Sequence, residues 1–127
     1  MDVFVSAPVF PSEDQNKVMQ AITRIFPTAA LETSEGTVGG RADLEHFSTQ
    51  IRRQKILDAA RSVMIKGRRK DRTVFHLNKQ AAFAGKISFT EERAVLGTIL
   101  VTVEDDDIDA VINIVAPATV DGMEVKI

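Results

Sequence analysis

Residues 51–89 read IRRQKILDAARSVMIKGRRKDRTVFHLNKQAAFAGKISF, and they combine a helical pattern, a charged turn and a strand pattern. Between Arg52 and Lys86 lie eleven Lys or Arg and two acids, a local net charge of +9. The other residues carry five basic and sixteen acidic side chains, so the net charge of −2 for all 127 residues conceals a basic block on a mildly acidic scaffold. Such asymmetry is typical of a surface that binds polyanions.

The apolar residues between positions 42 and 65 follow a helical period in two phases. At about 100° per residue, Leu44, Phe47 and Ile51 lie on one side, whereas the apolar residues after position 55 lie on nearly the opposite side. One straight helix cannot bury both sets. The pattern therefore predicts helices at about 42–50 and 52–66 with a break near 50–53, and Gly67 is typical of a C′ residue.

The remaining elements follow from alternating or helically spaced apolar residues and from turn signals. Alternation predicts strands at 2–9, 30–33, 73–77, 85–89 and 98–104, the last two forming a hairpin. Helical spacing predicts helices at 12–26, 79–83 and 107–115, N-capped by Ser12, Asn78 and an aspartate. The run TVGGR at 37–41 predicts a flexible loop, and residues 118–127 predict either an edge strand through Val125 and Ile127 or a frayed tail.

This order of elements predicts an α+β fold in a single domain over residues 1–127. We expect one mixed sheet of about four or five strands with helices mainly on one face. The length is sufficient for a well-buried core, and the apolar (44%) and charged (27%) fractions are ordinary for a globular protein.

Composition argues against several classes of function. With no cysteine in the sequence, disulfides, thiolate nucleophiles and cysteine metal sites are excluded. His46 and His76 are expected in structural roles, and the acids at 104–109 are expected to cap a helix rather than bind a metal. We therefore predict a non-enzymatic protein without metal or cofactor. The N-terminal residues do not resemble a signal peptide and no apolar run approaches the ~18 residues of a membrane span, so we expect a cytoplasmic protein without a membrane partner.

Two runs carry a resemblance to a known family: RRQKILDAAR at 52–61 and RTVFHLNKQAAFAGKISF at 72–89. They resemble a small archaeal family named uncharacterised protein family two hundred and one, sometimes described as a predicted RNA-binding protein or predicted exosome subunit. The resemblance extends over nearly the whole chain and is most specific at 77–89. It implies an α+β fold like that of large-subunit ribosomal protein L-five, and RNA binding, and it brings no catalytic residues with it.

The basic block is the candidate binding site, because Arg forms forked contacts with phosphate and Lys point-charge contacts. Cations at the start of the helix predicted over 52–66 would oppose its dipole, which phosphate binding would explain. The small residues at 81–85 would let a ligand approach closely. The predicted nucleic-acid-binding residues are Arg52, Arg53, Lys55, Arg61, Lys66, Arg68, Arg69, Lys70, Arg72, Lys79, Gln80 and Lys86.

Two other interpretations of the basic block stay open: a solvated surface, or a site for an acidic protein partner or an anionic lipid. The phenylalanines are expected mainly in the core, and there is no Tyr or Trp, so we expect RNA to be held by its phosphates rather than by stacked bases. A homodimer would form through a sheet edge or through apolar helix faces.

Overall fold

The computed structural model describes residues 1–91, 96–120 and 123–124, which form strands and helices in an α+β arrangement. The strands are β1 (Asp2–Pro8), β2 (Ala30–Ser34), β3 (Thr37–Ala42), β4 (Arg68–Arg69), β5 (Arg72–Leu77), β6 (Phe89–Thr90), β7 (Ile99–Glu104), β8 (Thr119–Val120) and β9 (Met123–Glu124). The helices are α1 (Gln15–Ile25), α2 (Glu45–Arg53), α3 (Leu57–Lys66), α4 (Lys79–Phe83) and α5 (Ile108–Val115). The predicted α+β class is confirmed.

Seven strands form one open sheet in the order β2-β3-β1-β7-β5-β4, and β6 pairs with β5 outside this order. All pairings between the described strands are antiparallel, so the predicted mixed sheet is wrong in that respect. A strand–helix–strand order suggests a parallel crossover, but here the chain returns after α1 through the β2–β3 hairpin, which lays β3 antiparallel beside β1. The sheet also has more strands than predicted, because neither β3 nor the two-residue β4 was expected as a strand.

The predicted hairpin between residues 85–89 and 98–104 is also wrong. β6 pairs with β5, whereas β7 lies between β1 and β5. Alternation shows which residues of a strand are inward, and Ile99, Val101 and Val103 are indeed buried. The alternation within one strand does not show which other strand pairs with it.

The prediction of a flexible loop at residues 37–41 is wrong, because these residues form most of β3. A Cβ atom on Gly40 would lie 1.9 Å from the carbonyl oxygen of Ala30, and one on Gly39 would lie 2.9 Å from that of Val5. The glycines therefore allow close approach of β3 to its two neighbours rather than flexibility.

One face of the sheet is covered by helices and the other is open. Val5, Val101 and Phe75 lie in register on the covered face, all buried. Phe47 of α2 packs there, with its ring centroid 5.4 Å from that of Phe75 and 6.1 Å from that of Phe26. The opposite face, called the open face below, carries Phe4, Thr102 and Val74 in register.

The two helices predicted from the phase shift are present as α2 and α3. The break between them lies later than predicted, between Arg53 and Leu57. Its geometry is a Schellman motif, in which the amide of Ile56 donates to the carbonyl of Ile51 (3.0 Å) and the amide of Lys55 to that of Arg52 (3.1 Å). Lys55 occupies the C′ position with φ 58°, where glycine is usual. The hydrophobic pattern assigns faces, and it does not mark the residue at which a helix ends.

Other helix ends differ from prediction in detail. Asp14, not Ser12, caps α1, since its Oδ1 accepts from the amide of Asn16 (2.8 Å). Gly67 has φ −84° and is not a left-handed C′ residue; a Cβ atom there would lie 2.1 Å from the carbonyl oxygen of Val74. The cap at Asn78 is confirmed, and Asp107 is the aspartate that caps α5.

After α5, β8 and β9 form a separate two-stranded sheet rather than an edge of the main one. The hydroxyl of Thr119 donates to the carboxylate of Asp58 on α3. The predicted edge strand through Val125 and Ile127 falls outside the described residues. None of the described helices is long and apolar enough to cross a membrane.

Candidate nucleic-acid interface

The fold divides the basic block between the two ends of α3. We call Arg53, Lys55 and Lys86 the turn cluster, because they surround the α2–α3 turn. We call Lys66, Arg69, Lys70 and Arg72 the hairpin cluster, because they lie at the end of α3 and on the β4–β5 hairpin. The ten residues of α3 separate the clusters by roughly 15 Å at about 1.5 Å per residue.

Two glutamine side chains assemble the turn cluster. Gln54 donates from Nε2 to the carbonyl of Ile87 (2.9 Å) and accepts at Oε1 from the Ile87 amide (2.7 Å). Gln50 donates to Gln54 Oε1 (2.9 Å) and to the carbonyl of Gly85 (3.3 Å). These bonds fasten residues 85–87 to the end of α2 and so bring Lys86 close to the α2–α3 turn.

The turn cluster is exposed and its charges are uncompensated within the part of the chain that the structure describes. Arg53, Lys55 and Lys86 are all exposed, and their side chains form no hydrogen bond or ion pair with described residues. Arg52 and Arg53 end α2 instead of beginning a helix, so the expected opposition to a helix dipole was wrong; the dipole favours them there. The helix dipole therefore does not indicate a phosphate site here, and the features that could are the exposure and the backbone geometry of the cluster.

The hairpin cluster has a mixed charge environment. Arg69 and Arg72 are Cα partners, and Lys70 between them has φ 55°. Arg69 Nη1 donates to the carbonyls of Arg68 (2.6 Å) and Lys66 (3.2 Å). Acidic Asp71 and Glu104 line the same depression as these cations. Any anion bound here would meet a weaker positive field than at the turn cluster.

Three of the predicted binding arginines hold the fold together. Arg52 forms a forked pair with Glu124 (Nε–Oε2 3.1 Å and Nη2–Oε1 3.2 Å) and donates to the carbonyl of Ser48 (3.0 Å). Arg61 donates to the side chain of Asn113 (2.8 Å), and Arg68 pairs with Asp109 (3.3 Å). These bonds fasten α5 and the β8–β9 hairpin to α2, α3 and β4. Their partners lie far away in sequence, and no local pattern pointed to them.

Lys79 is also engaged within the chain. Its Nζ donates to the carbonyls of Pro8 (2.6 Å) and Leu96 (2.5 Å) and pairs with Glu13 (3.0 Å), and its side chain is only 10% exposed. The Ala81 amide at the start of α4 donates to Asn78 (2.9 Å). This lysine therefore braces the start of α1, the β1 end and residue 96. Gln80 beside it is exposed, in a groove between α1 and α4.

An acidic depression lies at the start of β1 and the end of β7, beside the hairpin cluster. It is lined by Met1, Asp2, Asp71, Glu104, Asp105 and Asp106. The Asp107 amide donates to Asp105 (2.8 Å) and the N-terminal amine lies 3.2 Å from it, and these two bonds lower the pKa of the Asp105 carboxyl. The carboxylates here would repel phosphate, which limits where a nucleic acid can approach.

The chain is similar to known proteins over most of its length. A family model described as RNA binding matches residues 2–114. The UPF0200/UPF0201 protein of Archaeoglobus fulgidus is 41% identical over 99% of this chain, which spans 40% of that relative's length. The UPF0201 protein of Methanopyrus kandleri is 37% identical over 94% of this chain and 87% of its own length.

Solved structures show the same fold. A crystal structure of an uncharacterized UPF0201 protein has a TM-score of 0.89 at 39% identity, covering 98% of this chain and 100% of that one. The UPF0201 protein from Methanococcus jannaschii has a TM-score of 0.87 at 36% identity, covering 99% and 100%. A DUF54 protein from Archaeoglobus fulgidus, at 20% identity over 93% of this chain and 97% of its own, shares the fold with a TM-score of 0.70.

Proposed function

This chain belongs to the UPF0201 family of archaeal proteins and matches a family model described as RNA binding, and from that premise we propose that it binds RNA phosphates through the turn cluster, with Lys66 and Lys70 as a second anchor. The proposed role is binding without catalysis, and it requires neither metal nor cofactor. RNA binding would place the protein in the cytoplasm. Arg52, Arg61, Arg68 and Lys79 are left out of the contact set because their side chains are engaged in bonds within the chain.

The observation that carries the proposal is Lys55. It has φ 58° at a C′ position, a geometry that is less favourable by roughly 1–2 kcal/mol for a residue with a Cβ than for glycine. Its side chain is exposed and makes no bond that would offset this within the described residues. Strained non-glycine residues concentrate at functional sites, and a cation held outward beside Arg53 and Lys86 suits a phosphate.

The structure favours recognition of the RNA backbone over recognition of bases. Phe26, Phe47 and Phe75 are fully or almost fully buried, so they cannot stack on bases. The exposed phenylalanines, Phe4, Phe10 and Phe83, belong to neither cluster. Two groups of cations roughly 15 Å apart can contact separate phosphates of one folded RNA. Affinity should then follow RNA shape and salt concentration more than sequence.

The test is a fluorescence-anisotropy titration of a structured RNA at several salt concentrations. Log affinity should fall with log salt by about 0.7–0.9 per phosphate contacted. Replacing Lys55 and Lys86 with Gln should weaken binding at least about tenfold and lower the salt slope by about 2, one for each lost phosphate contact. In the matched control, Lys17 and Arg24 on α1 are replaced with Gln in the same way. This removes the same amount of positive charge outside both clusters, so the salt dependence of RNA binding should stay unchanged.

The outcomes separate the function from the site. If the unmodified protein binds no RNA even at about 50 mM salt, where phosphate contacts are strong, RNA binding is rejected. If the Lys55/Lys86 variant binds as tightly as the unmodified protein, RNA binding stands but the turn cluster is not its site. An acidic protein partner is the alternative for the same cations; co-purification that survives nuclease treatment would favour it.

A further inference from the structure

We propose that the open face of the main sheet is a homodimer contact, in which the open faces of two copies pack against each other. This proposal does not depend on RNA binding, because the turn cluster lies on the helical side of the sheet. It also uses a different surface from the sheet edges and helix faces expected from the sequence.

The centre of the open face is apolar. Phe4 lies on the central strand β1 and is 40% exposed, in register with Thr102 of β7 and, across it, Val74 of β5. Leu100 in the next row is partly exposed beside Ser6 and His76. The guanidinium of Arg41 lies over one side of the Phe4 ring, 5.1 Å from its centroid. The exposed remainder of the ring, in the middle of a sheet face that no described helix covers, is typical of a surface that a partner covers.

The charges on the open face are complementary to themselves. One row across four strands reads Asp2, Glu104, Arg72 and Arg69 in register. The acids are on β1 and β7 and the arginines on β5 and β4. Asp2 already pairs with Arg41 of β3 (2.8 Å), so the row offers a partner chiefly Glu104 and Arg72. Glu104 and Arg72 are Cα partners and both are exposed, yet neither forms an ion pair with any residue that the structure describes.

A two-fold axis satisfies this row twice. Suppose that the axis runs parallel to the strands, between β7 and β5. The rotation then inverts the order of the strands but leaves each residue at the same position along the strand direction. Glu104 of each copy therefore faces the partner's Arg72. A two-fold interface uses the same patch on both subunits, so each favourable contact between the copies occurs twice. The sheets would pack about 10 Å apart with Thr102 and Leu100 between them.

Another occupant fits the open face less well. Nucleic acid is disfavoured because three acids of this face, Asp2, Glu32 and Glu104, offset its three arginines, and the acidic depression lies at its end. A second copy brings both signs of charge, and the net charge of −2 gives little repulsion between copies.

The size of the face sets the strength of the dimer. With the axis between β7 and β5, the strands that face the partner are β1, β7, β5 and β4. Four strands about 4.8 Å apart and about 20 Å long give a flat footprint of at most roughly 380 Å² per copy. Stable interfaces bury about 800 Å² of accessible surface per partner, and side-chain relief raises the accessible area above the flat footprint. We therefore expect a dimer that dissociates at micromolar concentrations.

Sedimentation equilibrium of the full chain between about 1 and 200 µM, a range that brackets a micromolar dimer, tests the association. The mass should rise with concentration from the 13.9 kDa of one chain toward twice that value. Phe4→Glu should stay monomeric throughout. Phe83→Glu, at a similarly exposed phenylalanine (37%) on α4, should behave like the unmodified protein. A monomer at all concentrations, or a Phe4→Glu dimer, would overturn the proposal.

A charge exchange tests the geometry. Arg72→Glu makes the facing positions all acidic and Glu104→Arg makes them all basic, so each variant alone should lose self-association. An equimolar mixture should dimerise again, because the acidic row of one variant faces the basic row of the other. A mixture that stays monomeric would overturn the proposed face, provided that circular dichroism shows both variants folded. Binding of RNA that is lost in Phe4→Glu would assign the face to RNA and equally overturn the dimer.

Discussion

Lys55 illustrates how one residue can be identified from sequence for one reason and matter for another. Its charge placed it in the basic block, but its left-handed backbone became visible only with the Schellman motif. Local sequence did not reveal that motif, because Gln54-Lys55-Ile56 contains no residue typical of a helix end. The most informative residue of the candidate site was thus predicted by type and not by conformation.

Replacing Lys55 with Gly should raise the free energy of unfolding by about 0.5–1 kcal/mol, because relief of the left-handed strain exceeds the extra entropy of the unfolded chain. The same substitution should weaken RNA binding. Urea denaturation and an RNA titration measure the two effects. Lys55→Asn is the control, since Asn tolerates this geometry, and its stability should change little. A less stable Lys55→Gly protein would contradict the backbone geometry.

Gly67 shows the reverse case, in which sequence identified the residue and misjudged its purpose. Gly67→Ala should lower stability by about 1–3 kcal/mol, because the new Cβ would lie 2.1 Å from the Val74 carbonyl and push α3 away from β5. Gly85→Ala is the comparison: Gly85 has φ 79° but open space around it, so only backbone strain applies, about 1 kcal/mol. If thermal or urea unfolding shows a larger loss of stability for Gly85→Ala than for Gly67→Ala, the close contact inferred at Gly67 is contradicted.

At the scale of elements, the five helices that the structure describes were all predicted, and the errors lie at their ends and at β3. A pattern of apolar residues fixes which face is buried, whereas a helix end depends on a few bonds such as those of Asp14 or Gln54. The two glycines of β3 were misleading because glycine marks either flexibility or close packing. Only the neighbouring strands distinguish these meanings.

Asp43 ties the start of α2 to the loop before β2. Its carboxylate accepts from the hydroxyl of Thr28 and from the amide of Glu45 (3.0 Å), and these bonds, the Thr28 bond most, lower the pKa of the Asp43 carboxyl. A lowered pKa in the folded state means that the stabilisation is complete above the unfolded value of about 3.9 and is lost as pH falls toward the folded value.

Asp43→Ala should therefore lower stability by about 1 kcal/mol at pH 7, the usual net effect of losing a hydrogen bond. The difference in the free energy of unfolding between the variant and the unmodified protein should become smaller as pH is lowered from about 5 to 3, because the Asp43 carboxyl of the unmodified protein becomes protonated. Urea unfolding across this range measures it. Asp106→Ala, at an exposed acid with no described partner, should show no such difference. A difference that is independent of pH would refute the role of the carboxylate.

For the whole molecule, the fold class and the buried rows were predictable, and the strand order was not. The register of β1 with β7 depends on residues far apart in sequence, and alternation within a strand carries no record of its neighbour. The candidate site was limited in the same way. Charge counting found the cations, but whether Arg52 or Lys79 was free depended on Glu124 and Glu13, which lie 72 and 66 residues away.

The central position of β1 has a consequence for how the protein is made. Val3 is synthesised long before Val103, with which it pairs 100 residues later. Pairings this distant slow folding, and the middle of the sheet cannot close until β7 has emerged from the ribosome. Stalled nascent chains should therefore be digested by protease until β7 is outside the ribosome and should resist it afterwards. Resistance in a chain stalled before β7 would mean that α1, β2 and β3 form a stable unit with β1 alone.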